Sequence, residues 1–428
     1  MEARKMTIFY APLESLKERY TWQWSAPKTG WLESRWTEAG VDYVRIEGKQ
    51  PDDKKVIKAG CVLDAVGRCV FAHSQVEELL KLAEAGTIKD SDVIFLDDFW
   101  HPGIESLAYA FHLLNVRPRV YAFLHAQSVD EFDFTFGMRH WMRHVERGYG
   151  EFLDGIFVCC PTLKDLVVMG GIAPRSKVHV TGHPFNSDEV MSRMPSWYRS
   201  QMKDGTTLEL GDGGMKRKNQ VVWSSRFDAE KNPRFFLQVV EKCIKENVFD
   251  GDIKFVVCTS SPKLRSNDSR ALAELDRMLK KYPDHLELKE NLTKEEYYAT
   301  LCESKVQMNH AAQDFVAISL LEANVAGCYP VYPYFRSFPE TFLHRPGYMA
   351  AYLDAQDVCR QLQAVLSTDK DLWSAEAIKS RQWIHSRFDS SWLRMLKVMG
   401  VDTKYLPEQQ EMWYDAKKDP FDKTVWGV

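Results

Sequence analysis

The sequence predicts an α/β protein with two Rossmann-like domains facing across a cleft. Three observations predict it. Short apolar runs of strand length alternate with segments of helical period from Thr7 to Tyr332. The alternation stops once, between Pro195 and Asn219, where Gly205, Gly211, Gly213 and Gly214 interrupt a polar stretch. It then resumes as a second series of the same kind. Strands alternating with helices imply parallel sheets covered on both faces. A length of 428 residues suits two domains of roughly 100–200 residues each.

In the first half, Thr7–Tyr10 and Val41–Ile46 read as strands. Ser74 is the expected cap of a helix that carries Val76, Leu79, Leu80, Leu82 and Ala83 at helical spacing. Asp92–Leu96 is a buried strand and Ile104–Leu114 an apolar helix. Arg119–Leu124, Gly155–Cys159 and Lys177–Thr181 are further strands. In the second half, Gln220–Ser225, Asp252–Cys258, His285–Lys289, Lys305–Asn309 and Tyr329–Tyr332 are strands. The helices between them are Pro233–Lys245, Asp268–Lys281, Lys294–Glu303 after Thr293, and Ile318–Ala326. Residues 371–397 read as helical. The expected boundaries are a first domain over 1–205, a linker over 206–218, a second domain over 219–380, and C-terminal helices and tail over 381–428. The triplet Lys216-Arg217-Lys218 reads as solvated linker.

Composition excludes several classes. Hydrophobic residues make up 45 %, with 23 Phe, 17 Tyr and 13 Trp, so the chain is not intrinsically disordered. The formal net charge of −4 argues against a dedicated nucleic-acid binder, although it leaves room for a local basic groove. After Glu322 the next charge is Arg336, but Pro330 and Pro333 interrupt that stretch, so no membrane span is expected. The N-terminal residues show no apolar signal-peptide core. Nine cysteines, an odd number without metal-ligand spacing, fit reduced thiols and a cytoplasmic location. Neither half shows a glycine fingerprint opening its first helix, which disfavours a dinucleotide dehydrogenase.

Three stretches carry chemistry. From Gln313 to Val331 the chain reads as an acidic loop, a helix N-terminus, a short helix with Glu322 in its second turn, a stop at Gly327, and a buried strand. A helix N-terminus offers unpaired N–H groups and partial positive charge to an anion such as a diphosphate. The amides near Val316, Ala317 and Ile318 are therefore candidates for phosphate contact. Glu322 can accept hydrogen bonds from the vicinal hydroxyls of a ribose, and Asp314 can reach sugar hydroxyls. The same spacing also fits a plain structural arrangement, with Asp314 capping the helix and Glu322 solvated. From Trp223 to Pro233, Arg226 and Lys231 follow a strand. Two cations there suit a diphosphate whose charge grows as a glycosidic bond breaks. The third stretch is Leu124 to Asp130, where His125 follows a buried strand at the expected position for catalysis.

The first stretch resembles the acidic motif of retaining glycosyltransferases of GT-B fold, in particular the glycosyltransferase 4 family. Asp314 and Glu322 have that family's spacing, and Ala323, Gly327, Pro330 and Val331 follow in its order. Asp314 stands where the family has Glu, and Tyr329 precedes Pro330. The stretch Trp223 to Pro233 is similar to the segment that opens the family's second domain. The resemblance covers residues 219–335 well and the first half in outline. It implies that Glu322 holds the ribose, Asp314 the transferred sugar, and Arg226 and Lys231 the diphosphate. His125 would lie near the reacting sugar, and Asp130 would orient or deprotonate the acceptor. It also implies a nucleotide-sugar co-substrate, a UDP-sugar, with no further cofactor and no metal. The last helices would cross back onto the first domain, carrying Trp413, Tyr414, Phe421 and Trp426 with them.

The first half departs from the family pattern. The glycine-rich loop after the first strand is missing, and Lys17, Glu18 and Arg19 are expected to face the crevice instead. Asp97, Asp98 and His101 could hold a divalent cation, but a turn with Asp98 or His101 facing the acceptor is the preferred reading. Arg139, Arg143 and Arg147 recur every fourth residue and share a helix face, opposite Met138, Trp141, Met142 and Val145. That stripe suits a phosphate backbone or a solvated cationic face. The outline of this half is similar to bacteriophage enzymes that glycosylate hydroxymethylated pyrimidines in DNA. The expected acceptor is accordingly such a base in double-stranded DNA, flipped out of its stack, in the host cytoplasm if the protein is viral. A glycan, lipid or small-molecule acceptor, a nucleotide-sugar epimerase, and a non-catalytic nucleotide-sugar-binding module remain the alternatives.

Overall fold

The computed structural model describes residues 6–15, 30–50, 65–125, 128–200, 202–203, 207–208, 217–249, 253–312, 314–341, 349–367 and 384–401. Glu18, Arg19, and the tail from 402 with Trp413, Tyr414, Phe421 and Trp426, lie outside these. The strands are β1 Thr7–Ala11, β2 Asp42–Arg45, β3 Val93–Leu96, β4 Arg119–Phe123, β5 Gly155–Val158 and β6 Val178–Val180. A short pair, β7 Met202–Lys203 and β8 Thr207–Leu208, follows. The second series is β9 Lys218–Trp223, β10 Lys254–Cys258, β11 Leu286–Lys289, β12 Ser304–Met308, β13 Tyr329–Pro333 and β14 Met349–Ala350. The helices are α1 over 30–38, α2 Ala65–Glu84, α3 Ile104–Leu114, α4 Arg139–Phe152, α5 Pro161–Met169, α6 Ser187–Ser192 and α7 Ser196–Arg199. After these come α8 Pro233–Lys245, α9 Ser269–Lys281, α10 Lys294–Glu303, α11 Ile318–Val325, α12 Phe338–Thr341, α13 Ala355–Leu366 and α14 Ser391–Val398.

The chain forms two compact units. Among the described residues, the first unit takes those up to Glu189 and from Ser390 to Val401, and the second those from Val190 to Asp389. The first unit therefore ends before Val190, and the described residues from 190 that the sequence assigned to it, in a domain over 1–205, join the second. The chain returns to the first unit at Ser390, nine residues later than the sequence suggested. There the Arg394 guanidinium donates to the Thr181 carbonyl (2.7 Å) and the Tyr121 hydroxyl to the Val398 carbonyl (3.3 Å).

Each unit holds a six-stranded sheet, parallel throughout. The orders are β2-β1-β3-β4-β5-β6 and β11-β10-β9-β12-β13-β14. In each, the first strand of the series pairs with two later ones. The chain therefore leaves that strand in one direction across the sheet and comes back on its other side. Ligands of open parallel sheets bind outside the carboxyl ends of the strands at such a point. β3, β4 and β5 are buried over four or more consecutive residues, the pattern of strands covered on both faces.

Local chemistry sets the helix ends. Thr293 caps α10 with a full capping box: its hydroxyl accepts from the Glu296 amide and the Glu296 carboxylate accepts from the Thr293 amide. Asp268 and Asp354 cap α9 and α13. Ser74 departs from its expected role. α2 starts at Ala65, so Ser74 lies in the helix interior, donates back to the Phe71 carbonyl (2.7 Å), and accepts from the Lys49 amide (2.7 Å). The basic triplet also departs from the sequence reading. Arg217 donates to the carbonyls of Ser304 (2.8 Å), Leu301 (3.3 Å) and Ala326 (2.7 Å), so it neutralises the carboxyl ends of α10 and α11 together. Gly327, at φ 75°, leaves the room it needs, since a Cβ there would lie 2.5 Å from its Nη2.

α4 is fastened where it meets the chain after α5. A Cβ on Gly150 would lie 2.0 Å from the Ile172 carbonyl oxygen, which is backbone and cannot swing aside. Gly150→Ala is expected to destabilise the protein by about 1–3 kcal/mol, the usual cost of overpacking. Thermal unfolding of the variant checks this; an unchanged midpoint would show that α4 does not approach Ile172 so closely.

Candidate functional site

The residues expected to hold a donor sit on loops leaving the carboxyl ends of β9 and β12, neighbours at the crossover point of the second sheet. After β9 the chain makes a 3₁₀ turn over Ala229–Lys231 and enters α8 through Asn232, which adopts the left-handed conformation (φ 56°, ψ 47°). Asn takes this conformation more readily than most residues, and its side chain donates to the His310 carbonyl (2.9 Å). The Ala312 amide donates to the Glu230 carbonyl (2.8 Å). These bonds tie the two loops together and bring Lys231 and Asp314 into an ion pair of 3.2 Å. Lys231 is buried and Asp314 is mostly so, and Asp314 also accepts from the Asn309 amide group (3.2 Å). The pair joins two residues far apart in sequence that were both assigned to the donor site.

The N-terminus of α11 carries no side-chain cap. Its N-cap residue is Ala317, so the helix-end amides are not satisfied from Asp314. Glu322 is buried, not solvated: it is 6 % exposed. Its Oε1 accepts from the Lys294 ammonium (2.7 Å) and the Tyr298 hydroxyl (3.0 Å), both on α10. Its Oε2 accepts no hydrogen bond among the described residues. The plain reading, a capping Asp314 and a solvated Glu322, therefore fails at both positions. Beside them, Tyr297 donates to the Ser224 hydroxyl (3.0 Å), and Gln307 donates to both Ser224 (3.2 Å) and Ser319 (3.4 Å). Burial, with the nearby Glu322 charge, pushes the Tyr297 phenol well above its ordinary range and keeps it a donor. Lys294, Tyr298 and Gln307 escaped the sequence reading. The Lys294–Glu322 contact spans two helices, and no local pattern announces it.

Arg226 is placed differently from Lys231. Its side chain is 45 % exposed, and its two terminal nitrogens are held by Asp228 (3.1 Å) and Glu230 (2.6 Å). Two carboxylates already compensate the charge expected to meet a diphosphate.

In the first unit, several expected acceptor contacts are committed internally. Asp98 binds Arg68, which also binds Glu14 and the Trp100 carbonyl; all three charged groups are buried. Burial raises the Asp98 carboxyl to about 6, while Arg68 pulls it the other way. His101 is buried and its Nε2 faces the Gln75 Oε1 (2.9 Å), whose amide nitrogen donates to the carbonyls of Pro12 and Ile46 (2.9 Å each). Since that partner can only accept, Nε2 carries the proton. Asp98 and His101 thus lock the loop after β3 against β1 and α2 instead of facing an acceptor. Asp130 is buried as well. It shapes its own turn, with its Oδ1 accepting from the Phe132 amide (3.1 Å) and its carbonyl from the Asp133 amide (3.0 Å). His125 is half-buried; its Nε2 donates to the Asp97 carbonyl (2.7 Å), and Phe123 packs at 4.9 Å between ring centres. No group of three or more His, Cys, Asp or Glu among the described residues could hold a metal ion.

Arg139 and Arg143 lie on the exposed face of α4, with Arg147. The opposite face is formed by Met142, Glu146 and Gly150, while Trp141 is 47 % exposed and not in the core as expected. Glu146, buried and unnoticed in the sequence, accepts from the Trp100 indole (2.9 Å), the Ser128 amide (2.7 Å) and the Ser128 hydroxyl (2.6 Å). Among the described residues, no helix is long and apolar enough to cross a membrane.

The two parallel sheets with their flanking helices match solved glycosyltransferases of GT-B fold. The UDP-forming α,α-trehalose-phosphate synthase from Burkholderia xenovorans matches with a TM-score of 0.61 at 14 % identity, over 93 % of this chain and 99 % of that one. Anabaena HepE, solved with UDP and glucose, matches at 0.56 and 9 % identity, over 92 % and 99 %. TarM matches at 0.55 and 14 % identity, over 77 % of this chain but 58 % of that one. No family model matches the sequence. Among curated proteins, the tRNA-queuosine alpha-mannosyltransferase of Drosophila melanogaster is 25 % identical over 122 residues. That match takes in 28 % of this chain and spans 30 % of the relative's length.

His101 yields a pH prediction. Burial first, and the Arg68 charge second, lower its imidazole from 6.5 to about 3. Between those values the unfolded chain binds a proton that the folded one refuses, so this contribution is complete above pH 6.5 and is lost as pH falls. Asp98 and Asp133, both raised to about 6 by burial, act with the opposite sign, so the test is differential. The stability difference between the parent and His101→Gln is expected to shrink by up to about 1.4 kcal/mol per unit below pH 6.5. Urea unfolding at several pH values measures it; a constant difference would mean that His101 is not held neutral.

Proposed function

We propose that the protein is a retaining glycosyltransferase that moves a sugar from a nucleotide-sugar donor to a hydroxyl of a modified nucleic-acid base. The observation that carries the donor half is the Lys231–Asp314 pair beside the uncapped N-terminus of α11. Helix-end amides and a buried ammonium offer a diphosphate what it needs, and Glu322, fixed by Lys294 and Tyr298, offers an oxygen to ribose hydroxyls. The similar folds solved with UDP support a nucleotide donor.

The chemistry runs at the anomeric carbon. The bond from that carbon to the diphosphate oxygen breaks, and negative charge grows on the leaving group next to Lys231 and the α11 amides. The acceptor oxygen bonds to the same face of the carbon, and its proton passes to the leaving phosphate. No protein nucleophile is required. Asp314 holds Lys231 in place and is within reach of the sugar. In the first unit, His125 stands at the carboxyl end of β4, on the acceptor side. We assign no metal and no cofactor beyond the donor itself, and place the enzyme in the cytoplasm.

For the acceptor, the Drosophila relative favours a modified base in tRNA. The second reading, a hydroxymethylated pyrimidine in phage-type DNA, rests on the resemblance stated from the sequence and on the cationic face of α4. Incubating the protein with nucleotide-activated mannose or glucose, and with tRNA or hydroxymethylated DNA, tests both. Mass spectrometry of nucleosides is expected to show one added hexose on a single base, with the anomeric configuration of the donor. A sugar isomerised on its nucleotide without transfer would make the protein an epimerase, and an inverted product would refute retention. Lys231→Ala is expected to lower kcat by about 10²–10³, in the range for removing one group that stabilises transition-state charge. Lys294→Ala, which frees Glu322, is expected to raise the donor KM more than it lowers kcat. Steady-state kinetics separates the two; equal effects on kcat in both variants would contradict these roles.

A further inference from the structure

The exposed face of α4 carries charge that the protein does not neutralise. Arg139, His140, Arg143, His144 and Arg147 line a groove of about 660 Å³, bordered by Ser128 and Gly170. Like charges four residues apart on a helix repel by about 0.2–0.5 kcal/mol per pair, and nearby acids usually offset this. Here they do not: among the described residues, none of the three arginines pairs with a carboxylate. The nearest acid on the helix, Glu146, turns inward and is satisfied by the neutral donors of Trp100 and Ser128. The guanidiniums are nonetheless held. Arg147 donates to the Gly171 carbonyl (3.0 Å) and Arg139 to the Phe136 carbonyl (3.3 Å), with its charged carbon 4.0 Å above the Phe136 ring. Arg143 donates to the His144 ring (3.4 Å). Backbone carbonyls thus hold Arg139 and Arg147 without cancelling their charge.

We propose that this groove binds consecutive phosphates of the nucleic-acid acceptor. Three arginines spread over eight residue steps extend about 12 Å along the helix at ~1.5 Å per residue, longer than one phosphate group. A polyanion with evenly repeated charge fits that row, and a single small anion leaves part of it unmatched. The location agrees: Ser128 and Val129 border the groove three and four residues after His125. Phosphates held there would bring a base to the loop after β4, on the acceptor side of the reaction. With a net charge of −4, the chain as a whole repels nucleic acid, so association needs such a local patch. The proposal rests on the nucleic-acid acceptor reading but is tested by binding alone.

The experiment measures binding of a fluorescent tRNA transcript, a duplex DNA and phosphatidylserine vesicles to the full chain between about 50 and 200 mM salt. The parent is expected to bind nucleic acid with affinity that falls steeply with salt. Arg143→Gln/Arg147→Gln is expected to lower the slope of log affinity against log salt by about two, one per lost phosphate contact. Arg175→Gln, a surface arginine paired with Asp165, is expected to leave the slope unchanged. An unchanged slope in the double variant, or binding to vesicles without binding to nucleic acid, overturns the proposal. A donor thermal shift is run on the same samples. Its loss in the parent would refute the glycosyltransferase reading while leaving the phosphate result to stand or fall by itself.

Discussion

Lys231 and Asp314 meet at 3.2 Å although two neighbouring parallel strands send their chains in opposite directions. β9 leads toward β10, and β12 toward β13. Right-handed crossovers then place the following helices on opposite faces of the sheet, so the loops part above the strand ends. The Asn232–His310 and Ala312–Glu230 hydrogen bonds close that gap from the outside. Removing one member of so buried a pair strands the other's charge, at a cost of about 3–5 kcal/mol. The pair is therefore structural before it is chemical. It holds an ammonium beside an open helix end without a ligand's help, which is the preorganisation that transition-state charge stabilisation requires.

How much of this was legible in the sequence follows the range of each interaction. α8, α9, α10 and α11 carry their signals within one or two turns. A Pro opens the first, Asp268 and Thr293 cap the next two, and Gly327 follows the last, so their ends fell within a residue of expectation. The Asp314–Glu322 spacing is equally local. α13 was missed, although its signal is also local, with Asp354 as cap and an apolar stripe behind it. Ser74 misled because a Ser before an apolar series is also compatible with a helix already under way. Arg217 misled because its three carbonyl partners lie 84 to 109 residues away. A basic triplet in a glycine-rich stretch has no sequence mark of such a task.

The first unit shows why acids near a strand end are poor guides by themselves. Asp97, Asp98, His101 and Asp130 all stand in loops where catalytic groups are expected. Yet Asp97 accepts from the Tyr10 hydroxyl (2.9 Å), Asp98 from Arg68, and His101 binds Gln75. Arg68 comes from α2, and its side chain reaches Glu14 after β1 and Asp98 after β3, the two strands at this sheet's own crossover point. A buried guanidinium there does for the first sheet what the Lys231–Asp314 pair does for the second: it joins two diverging loops. In the second sheet, however, the joined loops lie beside a helix end without a side-chain cap, while in the first the guanidinium and its two carboxylates lie buried together.

The two units thus differ in where their buried polarity lies. The second unit concentrates preorganised polarity at one helix end, which suits a compact anion with fixed geometry. In the first, α4 turns its acid Glu146 inward and its arginines outward. Turning a carboxylate inward costs desolvation, and burial accordingly raises the Glu146 pKa above the usual carboxylate range. Facing outward, the same carboxylate would have paired with Arg143 or Arg147 at little cost. The fold takes the costlier arrangement, and its result is a positive surface beside the loop after β4 in a chain that is negative overall. Packing alone does not demand this, because a neutral residue at 146 would meet Trp100 and Ser128 equally well in volume. The arrangement follows if the loop carrying Ser128 must be fixed to α4 while the outer face of the helix stays cationic.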